Sequence, residues 1–266
     1  MKKDEETTDL ALMEDVDLSP AEMADWLGPQ DEMDGVEYVP DVITIAHQNQ
    51  AFQMPDGDIV KSFKGQIIDI VNVNAWWRET FDDSGGGTPP QCFSPDGIQP
   101  SPSSEDKQSQ FCRNCPQNQF GSDGGRGKAC KNMKRVHVFL EVEDGRHEAL
   151  PTRLVVPPTS MQAINQYASR LAKKVLAPFF VITTFSLKEA KNKSGIKYSA
   201  LNLEMDRLLL DFSKGKEHVQ NQAKAIKTKR NDLLPLMRDT LPADFQDMAQ
   251  PSTAHRDGEG PDAPPF

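Results

Sequence analysis

No apolar run in this 266-residue chain approaches the ~18 residues that a bilayer-crossing helix needs. The opening stretch, Met1 to Leu10, is polar and acidic, unlike a signal or transit peptide. Aromatic residues make up 7% of the chain and apolar residues 37%, with a mean hydropathy of −0.59. That is enough for one compact core carrying long polar extensions, and we expect a soluble intracellular protein with no membrane partner. The five histidines, His47, His137, His147, His218 and His255, are scattered, and none stands beside a nucleophile. No acidic metal cluster and no nucleophilic lysine motif appears, which argues against nucleases and ligases. The glycines 121, 124, 125 and 127 precede Lys128, but Ala129-Cys130 follow, so the phosphate-cradling Walker spacing is missing. We therefore expect binding rather than catalysis.

Cysteine is scarce too, and here the scarcity is informative. The chain has four, Cys92, Cys112, Cys115 and Cys130, all in one window with spacing C-x19-C-x2-C-x14-C. A Cys-x-x-Cys pair turns the backbone so that two thiolates can grip one tetrahedral ion, and two more distant cysteines can close the shell. In a reducing compartment such a cluster favours structural Zn2+ over disulfides or incidental thiols. Four sulfur ligands leave no open position for water, so the metal would be structural.

The net charge of −10 conceals a change of sign along the chain. Residues 1–58 hold two lysines against sixteen acids, and residues 239–266 hold one arginine against six acids. Residues 59–238 carry a net charge of +9. A basic core between acidic arms suits a phosphate backbone, with the arms competing for that surface or recruiting basic partners. Arg126, Lys128, Lys131, Lys134 and Arg135 form the densest group of cations, with no acid among them.

Element signals divide the chain as follows. Residues 1–58 read as an acidic, mostly flexible arm, with a helix candidate at Ser19–Trp26 and a short strand candidate at Val42–Ala46. Residues 59–212 read as the core, interrupted by a Gly-, Pro- and Ser-rich zinc insertion at about 82–133. Strands are expected at Gly65–Asn74, Lys134–Val142, Leu150–Val156, Pro178–Leu187 and Ile196–Leu210. Glu143-Asp144-Gly145-Arg146 reads as a hairpin turn. Pro157-Pro158-Thr159-Ser160 offers a cap for a helix bearing Met161, Ile164, Tyr167, Ala168 and Leu171. Residues 213–240 read as a polar helix, either a dimer element or a connector, and 241–266 as a disordered acidic tail. We expect a mainly β protein: a five-stranded OB-fold barrel with one helix between strands 3 and 4 and the cysteine insertion between strands 1 and 2.

That order, with four cysteines in the first connection, resembles the zinc-bearing OB domain of the large subunit of replication protein A. The ending Asp257-Gly258-Glu259-Gly260-Pro261-Asp262-Ala263-Pro264-Pro265-Phe266 resembles the acidic Pro-Phe tip of bacterial and phage single-stranded DNA-binding proteins. The resemblance implies sequence-nonspecific binding of single-stranded DNA in replication, recombination or repair, within a bacterial or phage-infected cell. Asp262, Pro265 and Phe266 would then recruit replication or recombination proteins. RNA binding, transcriptional modulation and an adaptor role remain the alternatives, and homo-oligomerisation stays open. A strand groove needs cations and flat rings for base stacking. The candidates are Arg126, Lys128, Lys131, Lys134, Arg135, Arg153, Lys193 and Lys197, with Trp76, Phe139 and Tyr198 as rings. Phe139 is the preferred ring because it alternates onto the outward face with Arg135 and His137.

Overall fold

The β-branched run Ile67 to Val73 supports the longest strand, and the whole architecture is arranged around it. In a computed structural model the described residues are 41–46, 50–79, 88–125, 127–141, 150–191 and 197–238. The strands are β1 (Val42–Ala46), β2 (Ala51–Gln53), β3 (Ile59–Val60), β4 (Ser62–Trp76), β5 (Cys92–Ser94), β6 (Lys131–Leu140), β7 (Thr152–Val156), β8 (Val181–Lys191) and β9 (Lys197–Leu208). Two α-helices accompany them, α1 (Met161–Lys173) and α2 (Lys216–Arg238).

The protein is mainly β, and its strands form one curled sheet in the order β3-β2-β1-β7-β6-β4-β8-β9, with β5 paired to β4. All five expected strands are present. The count of five is nevertheless too low, because among the described residues the sheet has nine strands. β1 adds to β7 in parallel, aligning Val42 with Arg153, and β2 and β3 follow as antiparallel neighbours. Ile43, Ile45 and Phe52 from this segment are core residues, so the ordered body begins well before residue 59. The Val42–Ala46 strand candidate is present as β1; what the acidic composition of its surroundings hid is that it and Phe52 join the core. The Ser19–Trp26 candidate and the 143–146 turn lie outside the described residues.

The core fills the inner face of the sheet. Ile67, Val136, Val138, Leu154, Val156, Phe185 and Leu203 meet Ile164, Tyr167 and Leu171 of α1 there. Phe63 stacks on Phe185 at 4.5 Å between centroids and meets Phe52 edge-on at 4.9 Å. The Tyr167 hydroxyl reaches Thr183 Oγ1 at 2.7 Å, so its polar end is satisfied where it is buried. The helix begins as expected after Pro157–Ser160, but Ser160 does not cap it. Its hydroxyl instead accepts from the Leu201 backbone N–H at 3.0 Å, fastening the start of α1 to β9.

β4 is shared. It pairs with β8 from Ser62 to Gly65 and with β6 from Gly65 to Ala75. Gly65 thus belongs to both ladders at the point where the sheet curls, a common place for strand glycine. A Cβ there would lie 2.3 Å from Val138 Cγ1 and 2.7 Å from the Phe139 carbonyl oxygen. Gly65→Val is expected to destabilise the protein by about 1–3 kcal/mol, the usual cost of overpacking. Urea unfolding followed by circular dichroism checks this, and an unchanged midpoint would contradict the crowding.

Candidate metal centre and nucleic-acid interface

Sheet pairing brings distant cysteines together. Cys92 opens β5 and lies across from Trp76 at the end of β4. Cys130 immediately precedes β6, whose Lys131 is aligned with Ala75 of β4. The ends of β4 and β6 are neighbours, so residues 38 positions apart arrive at one place. Cys112 and Cys115 bracket a 3-10 turn, Cys112–Asn114, and Pro116 starts a second one.

All four thiols line a single cavity of about 10 Å3, together with Trp76, Gln108 and Asn118. That volume holds roughly one small sphere. None of the four is in a disulfide, and Cys112, Cys115 and Cys130 are buried. Among the described residues no three His, Cys, Asp or Glu side chains are drawn into formed ligand geometry. The donor chemistry nevertheless fits a closed four-sulfur zinc site, with Cys92, Cys112, Cys115 and Cys130 as the residues to hold it. Burial first, and then the neighbouring thiols Cys115, Cys112 and Cys92, pushes the Cys130 thiol up to about 12. Burial also raises Cys92.

Hydrogen bonds fix the loop around these thiols. The Cys130 N–H donates to the Gln117 carbonyl at 2.8 Å, and Cys112 N–H to the Ile98 carbonyl at 2.9 Å. Asn118 Nδ2 donates to the Cys112 carbonyl at 2.8 Å, while Lys128 Nζ donates to Asn118 Oδ1 at 3.3 Å. Gln119 Nε2 holds the Cys115 carbonyl, and the Ser122 hydroxyl holds those of Gln117 and Gln119. The N-x-x-x-S stretch after the Cys-x-x-Cys pair therefore works as bracing.

The expected strand groove is redistributed. Arg135 and Arg153 are 1% and 2% exposed, and Phe139 is 2% exposed, so the three do not form an open surface. Their face of the sheet is covered. Phe139 packs with Ile68 and Met237, next to Leu233 and Leu234 of α2, and Lys229 Nζ lies 4.6 Å from its ring centroid. Arg230 ties the same helix down by donating to the Ile68 carbonyl at 2.7 Å and to Asp69 at 3.1 Å. Alternation correctly put Phe139 opposite the aliphatic core face, but it could not show that a distant helix lies over it. Trp76 is 9% exposed and lines the thiol cavity instead of offering a free ring.

Lys128 is exposed, and Lys131 and Lys134 are half-buried. Lys131 pairs with Asp123 at 3.1 Å. Lys134 donates to Asn72 Oδ1 at 2.8 Å, and burial lowers its pKa from the ordinary lysine value. Tyr198 is half-buried on β9, opposite Ala190 and remote in the strand order from the cysteines. Lys197 belongs to β9 by its backbone. Arg126, Lys193, Asp262, Pro265 and Phe266 lie outside the described residues.

One ring went unrecognised in the sequence. Phe120 is 62% exposed on the loop between Cys115 and Cys130. Its signal was an aromatic residue beside Gly121, whose φ of 94° turns the chain sharply. Arg113 is also exposed, with its guanidinium 5.8 Å from the Phe111 ring. The arrangement thus presents exposed cations and a ring on a braced loop, beside four thiols able to take a metal. No protein-family model, curated protein or solved structure matches the chain.

Asn118→Ala removes the shorter of two donors to the Cys112 carbonyl, which keeps the Cys115 N–H at 3.3 Å. The expected cost is about 0.5–1.5 kcal/mol of stability. A denaturant titration against the unchanged protein measures it, and a loss below a few tenths would show that the brace is idle.

Proposed function

We propose that the protein is a non-catalytic, zinc-stapled binder of single-stranded DNA. The observation that carries this is that exposed Phe120, Arg113 and Lys128 all belong to the one loop built around four thiols. Single strands are held by cations that follow the phosphates and by flat rings on which bases stack, which needs no particular sequence. Zn2+ at Cys92, Cys112, Cys115 and Cys130 supplies rigidity: it fixes the loop so that Phe120 and the cations keep their spacing.

The finer fold reading belongs to the same proposal. β4, β6, β7, β8 and β9 lie next to one another in the order third, second, first, fourth, fifth, with α1 between the third and fourth. That supports an OB-type Greek-key barrel in which β1 adds to the outer edge of β7. In this reading the binding surface shifts to the cysteine loop, because α2 lies over Phe139. The acidic tip with Asp262, Pro265 and Phe266 serves replication or recombination partners, its ring and terminal carboxylate suiting an apolar pocket with one cation.

Two measurements test this. Purified protein is expected to hold one zinc per chain, and Cys115→Ser to lose it. Chelation should shift tryptophan emission, because Trp76 lines the thiol cavity. Protons compete with the ion for thiolates, so metal retention is expected to weaken as pH falls. Metal-free protein with unchanged binding would refute the staple.

In fluorescence anisotropy with an oligo-dT 20-mer, affinity should fall with salt by about 0.7 log units per phosphate neutralised and per log unit of salt. Phe120→Ala is expected to weaken binding by about 1–3 kcal/mol. Lys128→Ala should flatten the salt slope by about 0.7. Binding insensitive to both substitutions would place the strand elsewhere. Preference for an RNA oligonucleotide of equal length would redirect the reading to RNA.

A further inference from the structure

We infer that a second cavity, between the ends of β4 and β6, the cysteine loop and the start of α1, is an oxyanion site that takes a phosphate group. The inference goes beyond the single-strand reading and does not depend on it, because a phosphate on a nucleic-acid strand and a free phosphate offer the same oxygens. Along β4 and β6, Asn72 is aligned with Lys134 and Asn74 with Asn132. These positions continue the alternation of Ile70, Val136 and Val138, so they lie on the core side of the sheet just beyond the apolar packing. There the inner face changes from aliphatic to carboxamide and ammonium.

The cavity is about 320 Å3, at the lower end of the roughly 300–1,000 Å3 usual for small-molecule sites. Asn72, Asn74 and Asn132 line it from the sheet, Arg113 and Asn118 from the cysteine loop, and Met161 from the start of α1. Among the described residues its lining holds one charge, the Arg113 guanidinium, and no carboxylate. Two further cations reach it through an amide. Lys134 Nζ donates to Asn72 Oδ1 at 2.8 Å, and Lys128 Nζ donates to Asn118 Oδ1 at 3.3 Å. Each lysine thus spends a proton on the neutral oxygen of a wall residue instead of on an acid.

Charge accounting selects the ligand chemistry. Among the described residues, Arg113, Lys128 and Lys134 have no ion-pair partner. Burial alone lowers the Lys134 pKa, with no carboxylate acting against it. A partly desolvated cation that lacks a counter-charge is stabilised by an anion beside it. Asn118 is fully engaged, donating to the Cys112 carbonyl and accepting from Lys128. Asn72 is exposed, and with its oxygen held by Lys134 its NH2 is the group on offer. The open groups are therefore an amide NH2 and a guanidinium, both donors, backed by two ammonium charges. Phosphate oxygens accept from such donors, and a guanidinium can meet them two at a time. A cationic ligand would face three like charges here, and an uncharged one would leave all three uncompensated.

The test titrates inorganic phosphate into the full-length protein at constant ionic strength, with chloride as the control, and follows the side-chain N–H signals of Asn72, Asn118 and Arg113 by NMR. Saturable shifts with phosphate and none with chloride are expected. Asn72→Asp is nearly isosteric, gives Lys134 a carboxylate partner and turns the wall against anions. It should weaken phosphate roughly tenfold to hundredfold, the range for one lost hydrogen bond to a charged group, and Arg113→Gln should do the same. Two oligo-dT strands of equal length, one ending in a 5′-hydroxyl and one in a 5′-phosphate, identify the source. An equal loss for both with Asn72→Asp assigns the site to phosphates within a strand, and a loss confined to the 5′-phosphorylated strand assigns it to chain ends. No loss for either, with inorganic phosphate still weakened, assigns it to a free anion. Shifts that do not saturate, that chloride reproduces or that Asn72→Asp leaves unchanged overturn the inference. Oligo-dT binding that survives such a result leaves the single-strand reading standing.

Discussion

Four thiols gathered around a space for one small sphere form the constraint on which the working end of this protein depends. Three are buried, and burial together with the neighbouring thiols raises the Cys130 thiol. Apolar packing alone gives four thiols little reason to meet where β4, β5 and β6 come together. What sustains the cluster is a loop in which Asn118, Gln119 and Ser122 hold the carbonyls of Cys112, Cys115, Gln117 and Gln119, and the backbone N–H groups of Cys112 and Cys130 are bonded to Ile98 and Gln117. The loop has little apolar content of its own, so its rigidity comes from hydrogen bonds and, in our reading, from a metal. A metal contributes folding energy directly where a core cannot, on the order of 10–16 kcal/mol of apparent binding for structural zinc.

The sequence was readable wherever one local rule decided the outcome. Period-two alternation located β6, helical spacing placed Ile164, Tyr167 and Leu171 on the buried side of α1, and cysteine spacing found a true spatial cluster. It was unreadable wherever two distant segments had to be brought together. Nothing local to Phe139 reveals that Met237 covers it, because 97 residues separate them. Ser160 was expected to cap a helix, but a strand edge competed for the same hydroxyl. β1 to β3 escaped the assigned core because their few apolar residues sit among acids, whereas burial needs only the right residues on one face.

Burial of Arg135 and Arg153 also changes the meaning of the basic core. A count of +9 over residues 59–238 treats every cation as available, yet two of the most central ones are enclosed. The cations of α2 are partly committed as well, with Lys229 over Phe139 and Arg230 on Asp69 and over Phe179. Charge that packs a helix onto a sheet cannot also attract a strand at full strength. The cations left exposed are fewer than composition implies, and Arg113 and Lys128 of the cysteine loop are among them.

Asn118 joins the two proposed sites. Its NH2 holds the Cys112 carbonyl, its oxygen accepts from Lys128, and its side chain lines both the thiol cavity and the carboxamide cavity. Order imposed on the thiols therefore also orders one wall of the neighbouring cavity. Such coupling is reciprocal: if an ion bound at the thiols raises affinity for a ligand in that cavity by some factor, the ligand raises affinity for the ion equally. The factor is bounded by what a single shared side chain and its neighbouring turn can transmit, which is the modest range typical of local ordering rather than of a domain rearrangement.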